Sequence, residues 1–304
     1  MKVALCFIIS YDHILNKEHI WRKWIEYNKD IINVYFFYKD FQKIQSEWIK
    51  ERAMPPDKIM KTSYFHVIPA YISILSYASQ HDASNRWFCL LTDSCCPIVS
   101  PRRFRNLFFD NYNKTIMSWR NAWWNIQVHK RANLALLPED LRLANDPWFV
   151  LKREDVARII RYFHLKGDIT TTICQGGLAN ESLFAIILAA NNELKNVICS
   201  VTHITDWSRM TSSTSPHVFK EGNEIDIKFI ENELKEKKYQ MFIRKVAPEF
   251  PDAILESYIY NDEFKNQEFI EARIYSYLNI FGFWAFIIAF FIIVNLLLIY
   301  YYLK

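Results

Sequence analysis

The polar residues that close the chain's apolar runs are the first candidates for chemistry. Ser10, Tyr11 and Asp12 follow VALCFII at 3–9, and Thr92, Asp93 and Ser94 follow WFCLL at 87–91. Ligands of open α/β sheets bind outside the carboxyl ends of the strands, so Ser10 and Asp93 are candidate ligand contacts. Ser and Asp also favour turns, where their side chains bond nearby backbone. Asp93 opens the triplet Asp-Ser-Cys. One carboxylate without a second hard oxygen ligand makes a poor Mg²⁺ or Mn²⁺ site. A phosphate group held there would need cationic side chains instead. Glu181 is a candidate of another kind. It follows the flexible turn Gln175-Gly176-Gly177-Leu178 and opens an apolar helical pattern. A carboxylate at a helix N-terminus is favoured in its charged form, which suits a general base. The same place also suits a first-turn acid with no further duty.

The six cysteines, at 6, 89, 95, 96, 174 and 199, form no C-x-x-C pair, so a zinc ribbon or redox motif is unsupported. Most lie in apolar contexts, where free Cys behaves as a small hydrophobe. That usage fits a reducing compartment. Net charge is +4 with both signs dispersed. Short basic pairs such as Arg102–Arg103 and Lys237–Lys238 make no stripe, so nucleic acid is not an expected partner.

The elements that must position these residues alternate. Residues 3–9, 32–38 and 87–91 read as buried strands, rich in β-branched and aromatic residues. Residues 18–29 and 66–80 read as helices between them. Further on, 148–151, 197–203 and 240–246 predict strands, and 153–165, 180–192 and 226–238 predict helices. This order predicts a Rossmann-type, mainly parallel α/β sheet with crossover helices. No linker interrupts residues 1–250, so they are read as one domain. Residues 251–278 then read as a polar stalk or helix.

Several segments resemble the core-2/I-branching β-1,6-N-acetylglucosaminyltransferase family, especially its plant-type branch. VALCFIIS, HIWRKWIE and INVYFFYKD resemble its opening strand, helix and second strand. RWFCLLTDSCCPIVS, PWFVLKREDVARII, LANESLFAII, THITDWSRMTSSTSPHVF and YQMFIRKV resemble five later blocks, in the family's order. The resemblance implies a GT-A-like fold and an inverting, metal-independent transfer from a UDP-sugar to an acceptor hydroxyl on a glycan or glycoprotein. It implies that Glu181 is the base. It places Lys245, and beside it Arg244, at the donor's diphosphate. Strand neighbours point to opposite faces, so one of the two should reach it, and Lys245 is the expected one. Arg209, just after Asp206-Trp207-Ser208, is a second candidate, since a guanidinium can grip a phosphate bidentately. Trp119, Trp123 and Trp207 are candidates to stack on acceptor sugars, although at least two tryptophans of 119–148 are expected in the core. N-acetylglucosamine is the family's commonest donor, and xylose a relative's.

The chain also departs from the pattern. Asn180 stands where the family often has Asp, Tyr64-Phe65 replaces Trp-Gly, and Pro216–His217 reverses His-Pro. These changes leave a second reading, a catalytically degenerate transferase fold serving as a membrane-anchored binding or scaffold protein.

Residues 280–300 read IFGFWAFIIAFFIIVNLLLIY, with no charged residue. About 20 apolar residues span a bilayer core as a helix. Trp284 and Tyr300, Tyr301 and Tyr302 mark its ends as an aromatic belt would. A transmembrane helix over 279–303 is therefore expected. Since MKVALCFIIS reads as a strand and not a signal peptide, the chain is expected to be tail-anchored with its bulk in the cytosol. The sequons Asn113-Lys114-Thr115 and Asn180-Glu181-Ser182 bear on this. A glycan on Asn180 would crowd the proposed base, and a cytosolic domain avoids that conflict.

Overall fold

The apolar run near the N-terminus becomes β1 (Lys2–Ile8), followed by α1 (Glu18–Glu26), β2 (Ile32–Phe37), the single turn α2 (Glu47–Lys50), α3 (Ile68–His81) and β3 (Asn85–Thr92). Next come β4 (Cys96–Pro97), α4 (Pro101–Asn111), β5 (Trp119–Asn121), β6 (Leu143–Asn145), β7 (Val150–Lys152), α5 (Arg153–Leu165), α6 (Gly167–Gln175) and α7 (Leu183–Ala190). β8 (His203–Thr205), α8 (Glu224–Glu236), β9 (Phe242–Arg244) and α9 (Asp252–Tyr260) follow. The computed structural model describes residues 1–9, 12–63, 65–165, 167–212 and 215–260. Met1–Ile259 form one compact unit.

The main sheet has the order β2-β1-β3-β7. β1 pairs in parallel with β2 and β3, whereas β7 runs antiparallel to β3. The fold is thus mixed α/β with a parallel-rich main sheet flanked by helices, which fits a GT-A-like architecture. β1 is covered on both faces, as its unbroken apolar run implies. Phe7 meets Trp21 of α1 edge-on at 4.9 Å. Ala4 and Cys6 belong to the core shared with Tyr71, Leu75, Phe149 and Phe184. The α1 tryptophans also hold the segment that leaves β3. Trp21 Nε1 donates to the Cys95 carbonyl and Trp24 Nε1 to the Val99 carbonyl, both at 2.9 Å. Each ring buries its apolar body and satisfies its one donor.

A second sheet has the order β4-β9-β8, with β9 antiparallel to β4 and parallel to β8. Its register sets Thr205 beside Arg244, so the carboxyl ends of β8 and β9 lie together. A small antiparallel pair, β5-β6, sets Trp119 opposite Asn145.

Some boundaries differ from those the sequence predicts. The helix expected over 180–192 begins at Leu183, after a 3₁₀ turn at Ala179–Glu181. The strand expected over 197–203 begins only at His203. Before it, Ile198 pairs singly with the Thr115–Met117 segment, its N–H donating to Thr115 at 2.9 Å. α4 and α6 were not expected. The stalk expected from 251 starts as α9, whose Leu255 and Ile259 are buried. Lys17 binds Asp252 at 2.7 Å and Lys23 binds Glu256 at 2.9 Å, tying α9 to the α1 region. Among the described residues no helix is long and apolar enough to cross a membrane. The expected transmembrane segment, 279–303, lies outside the described residues.

Candidate active site

Glu181 ends the 3₁₀ turn that precedes α7. Two features fix that turn. Leu178 takes the left-handed conformation at φ 57°. Asn145 then donates from Nδ2 to the Asn180 carbonyl at 2.9 Å and accepts from the Ala185 N–H at 3.2 Å. Gly176 lies against the backbone of Ala132 and Asn133, where any Cβ would collide. That close approach brings Arg131 beside the base. Its guanidinium lies 3.4 Å from Glu181 Oε2 and 5.3 Å from the Trp124 ring.

This geometry corrects the helix-terminus argument for Glu181. The residue is not in the first turn of the helix, and its pKa is raised, not lowered. Burial is the main cause and the nearby Asp146 adds to it, while Arg131 and Arg244 pull the other way. Burial also raises Asp146, against the Arg120 guanidinium at 3.6 Å. Two carboxylates with raised pKa values, one acting on the other, are the kind of arrangement that proton-transfer sites use.

Arg244 is buried, with its guanidinium 4.1 Å from the Trp148 ring. Its Nε is buried without a hydrogen-bond partner among the described residues. Burial lowers its pKa, and Cys95, Tyr71 and Asp93 oppose that. Lys245 is half-buried, with Nζ 3.5 Å from Ser215 Oγ. Burial and Arg244 lower its pKa, and Asp93 opposes. Both cations therefore feel Asp93, Arg244 from a buried position and Lys245 from a half-buried one.

The remaining candidates are placed as follows. Arg209 is held between two buried carboxylates, with Nε 2.6 Å from Asp206 and Nη1 2.8 Å from Asp226. His217 also binds Asp226, at 3.0 Å. Arg209 therefore braces the loop after β8, and a phosphate would have to compete with two carboxylates for it. Trp119 and Trp124 pack against the core. Trp123 and Trp207 are more than half exposed, and Arg120 covers the Trp123 ring at 4.0 Å. Ser10 lies outside the described residues. Among the described residues no His, Cys, Asp and Glu side chains cluster in threes as a metal site would require.

A cavity of about 210 Å³ is lined by Asp146, Trp148, His203, Trp207 and Arg244, among others. Burial, helped by Arg244, pushes His203 well below its usual pKa, so it is neutral. Its Nδ1 pairs with Thr202 Oγ1 at 2.9 Å, and its Nε2 is buried without a partner among the described residues. Neutral imidazole, two indole faces, the cations Arg120, Lys237 and Arg244 and the carboxylates Asp146 and Glu233 give this cavity a mixed polar and aromatic lining that suits a hydroxyl-rich ring. A larger cavity of about 690 Å³ lies along β2, lined by Arg22, Trp48 and His81, and holds none of the candidate residues.

The model of the family described as Core-2/I-Branching enzyme matches residues 30–233. The chain belongs to the core-2/I-branching enzyme family. It is accordingly a glycosyltransferase, a class that takes a sugar donor and a glycan acceptor. A search of curated proteins returned no match. The match takes in Asp93, Glu181 and Arg209, while Arg244 and Lys245 lie beyond its end. Within this core-2/I-branching enzyme, sequence reasoning missed Arg131, Asp146, Trp148 and His203. All four enter through contacts distant in the chain. The glycine pair before Leu178 was the one local signal, since Gly176 marks a close backbone approach.

Proposed function

We propose that the protein is an inverting, metal-independent glycosyltransferase of the plant-type branch that moves a sugar from a UDP-sugar, N-acetylglucosamine first among candidates, to an acceptor hydroxyl on a glycan or glycoprotein. The observation that carries this is the largely buried Glu181 with its pKa raised, Arg131 at 3.4 Å and Arg244, the neighbour of Lys245, close enough to act on it. Glu181 takes the proton of the attacking hydroxyl, a task favoured by a base whose pKa lies nearer the working pH. Lys245 and Arg244 stabilise the charge that develops on the departing diphosphate. Arg244 has an unspent Nε–H for this, and Trp148 holds its plane. Ser10 and Asp93 complete the nucleotide side, and Arg209 serves there through the loop it braces. Trp123 and Trp207, both exposed, supply stacking faces for the acceptor, with Trp119 behind them.

The apolar run 280–300 anchors the protein in a membrane by its tail, with the catalytic unit on the cytosolic face, where UDP-sugars are made. All six cysteines are free, in keeping with a reducing compartment. The test of donor binding is titration of the full chain with a panel of UDP-sugars in excess EDTA. Saturable heat with one or two of them supports the reading. A requirement for added Mg²⁺ or Mn²⁺ overturns metal independence, and no binding of any UDP-sugar favours the scaffold alternative.

A further inference from the structure

The connection between β5 and β6, residues 122–142, is long for a hairpin, and long connections in compact units commonly serve a function. It stands at the cleft. Trp123 meets Trp124 at 4.8 Å, and Trp124 in turn lies under Arg131, the partner of Glu181. Three large apolar side chains stand out from it among polar neighbours: Trp123 is 56% exposed, Val128 68% and Leu136 72%. The loop's acidic residues, Glu139 and Asp140, are confined to its end before β6, and the stretch from Trp119 to Leu137 has none. Arg120 and Arg131 are each turned to a carboxylate, whereas His129 and Lys130 stand exposed among the apolar tips. Exposed apolar residues interleaved with cations, with an indole among them, are the composition of a surface that enters a lipid headgroup region.

We propose that this loop docks on the surface of a lipid bilayer, so that the cleft receives its acceptor from the membrane. The proposal rests on the reading of the chain as a membrane-anchored transferase. A bilayer is the occupant to choose because the uncharged run 280–300 would keep one within reach. Residues 261–279 lie between that run and the described unit and can bridge at most roughly 65 Å. A cytosolic leaflet also carries the anionic lipids that Lys130 would favour.

The test uses the full chain reconstituted in phosphatidylcholine vesicles with and without phosphatidylserine. Cys174 and Cys199, the cysteines that are not buried, are replaced by Ser. A spin label is then placed at Val128→Cys, at Leu136→Cys as a second loop site, or at Ile225→Cys, an exposed position on α8. Collision with oxygen is compared with collision with a water-soluble nickel chelate. The proposal expects oxygen-dominated collisions at 128 and 136, strengthened by phosphatidylserine, and nickel-dominated collisions at 225. Nickel-dominated collisions at all three sites, in vesicles that carry the protein after alkaline wash, would overturn it. Loss of the protein in that wash would instead overturn the anchor, and this proposal with it. Neither outcome depends on whether Glu181 is the base.

Discussion

The Arg131 guanidinium lies 3.4 Å from the Glu181 carboxylate, across fifty residues of chain. Burial and Asp146 push the pKa of Glu181 up, and Arg131 restrains it. The pH dependence follows in sign. A base works only when ionised, so the acid limb of kcat/KM should lie above the ordinary carboxylate range. Removing a cation destabilises the ionised form, so Arg131→Met should move that limb to higher pH. Removing a neighbouring negative charge does the reverse, so Asp146→Asn should move it lower. Initial rates across the pH range check both, and shifts of the same sign in the two variants would contradict the arrangement.

The same burial has a consequence for stability. A carboxyl whose folded pKa exceeds its unfolded value is most favourable to folding when protonated, and it costs stability as pH rises through the folded pKa. Glu181→Gln should therefore raise Tm at neutral pH, by about 2–4 °C for each kcal/mol regained. The gain should vanish under acid conditions where Glu181 is already protonated. Differential scanning calorimetry at two pH values reads this directly. An unchanged or lowered Tm at neutral pH would argue that Glu181 is a well-solvated side chain.

Lys245 and Arg209 should separate cleanly. Lys245→Ala removes a half-buried cation with one weak neighbour, so it should weaken UDP binding about 10- to 100-fold with little change in Tm. Arg209→Met takes the guanidinium from two buried carboxylates, leaving Asp206 with the Ser208 and backbone hydrogen bonds and Asp226 with His217, and should cost about 3 kcal/mol of stability. Hydrogen bonds from Ser208 and Arg209 outweigh burial at Asp206 and hold its pKa below the usual range. Its contribution to stability is thus present at neutral pH and lost as pH falls through that lowered pKa. Adding Asp206→Asn and Asp226→Asn to Arg209→Met should restore much of the loss. UDP titration calorimetry and thermal unfolding, run on both variants, check the contrast.

The parts of the fold that were legible were those written in local pattern. β1 and β3 are near-continuous apolar runs, and α5 carries a clear helical period. α4 was overlooked although its start signal is present: Ser100 caps it, accepting from the Arg103 N–H at 3.1 Å, with Pro101 in the first turn. The Trp and Arg content of the surrounding segment hid the period. At the site, Asp93, Glu181 and the Arg244–Lys245 pair stand at element ends and could be named from sequence. The sign of the Glu181 shift could not, because it comes from burial and from Asp146 and Arg131, which only the tertiary fold brings near. Arg209 looked like a ready phosphate ligand because a guanidinium can grip a phosphate bidentately, and its capture by Asp206 and Asp226 shows only in the fold.

The proposed function turns on Glu181 as the base of a UDP-sugar transferase. Its most direct test is single-turnover transfer from the UDP-sugar that binds best, comparing the wild type with Glu181→Gln at equal donor occupancy. Loss of a catalytic base should leave donor affinity within about threefold and lower the transfer rate by roughly 100- to 10,000-fold. Transfer at an unchanged rate in Glu181→Gln would contradict it.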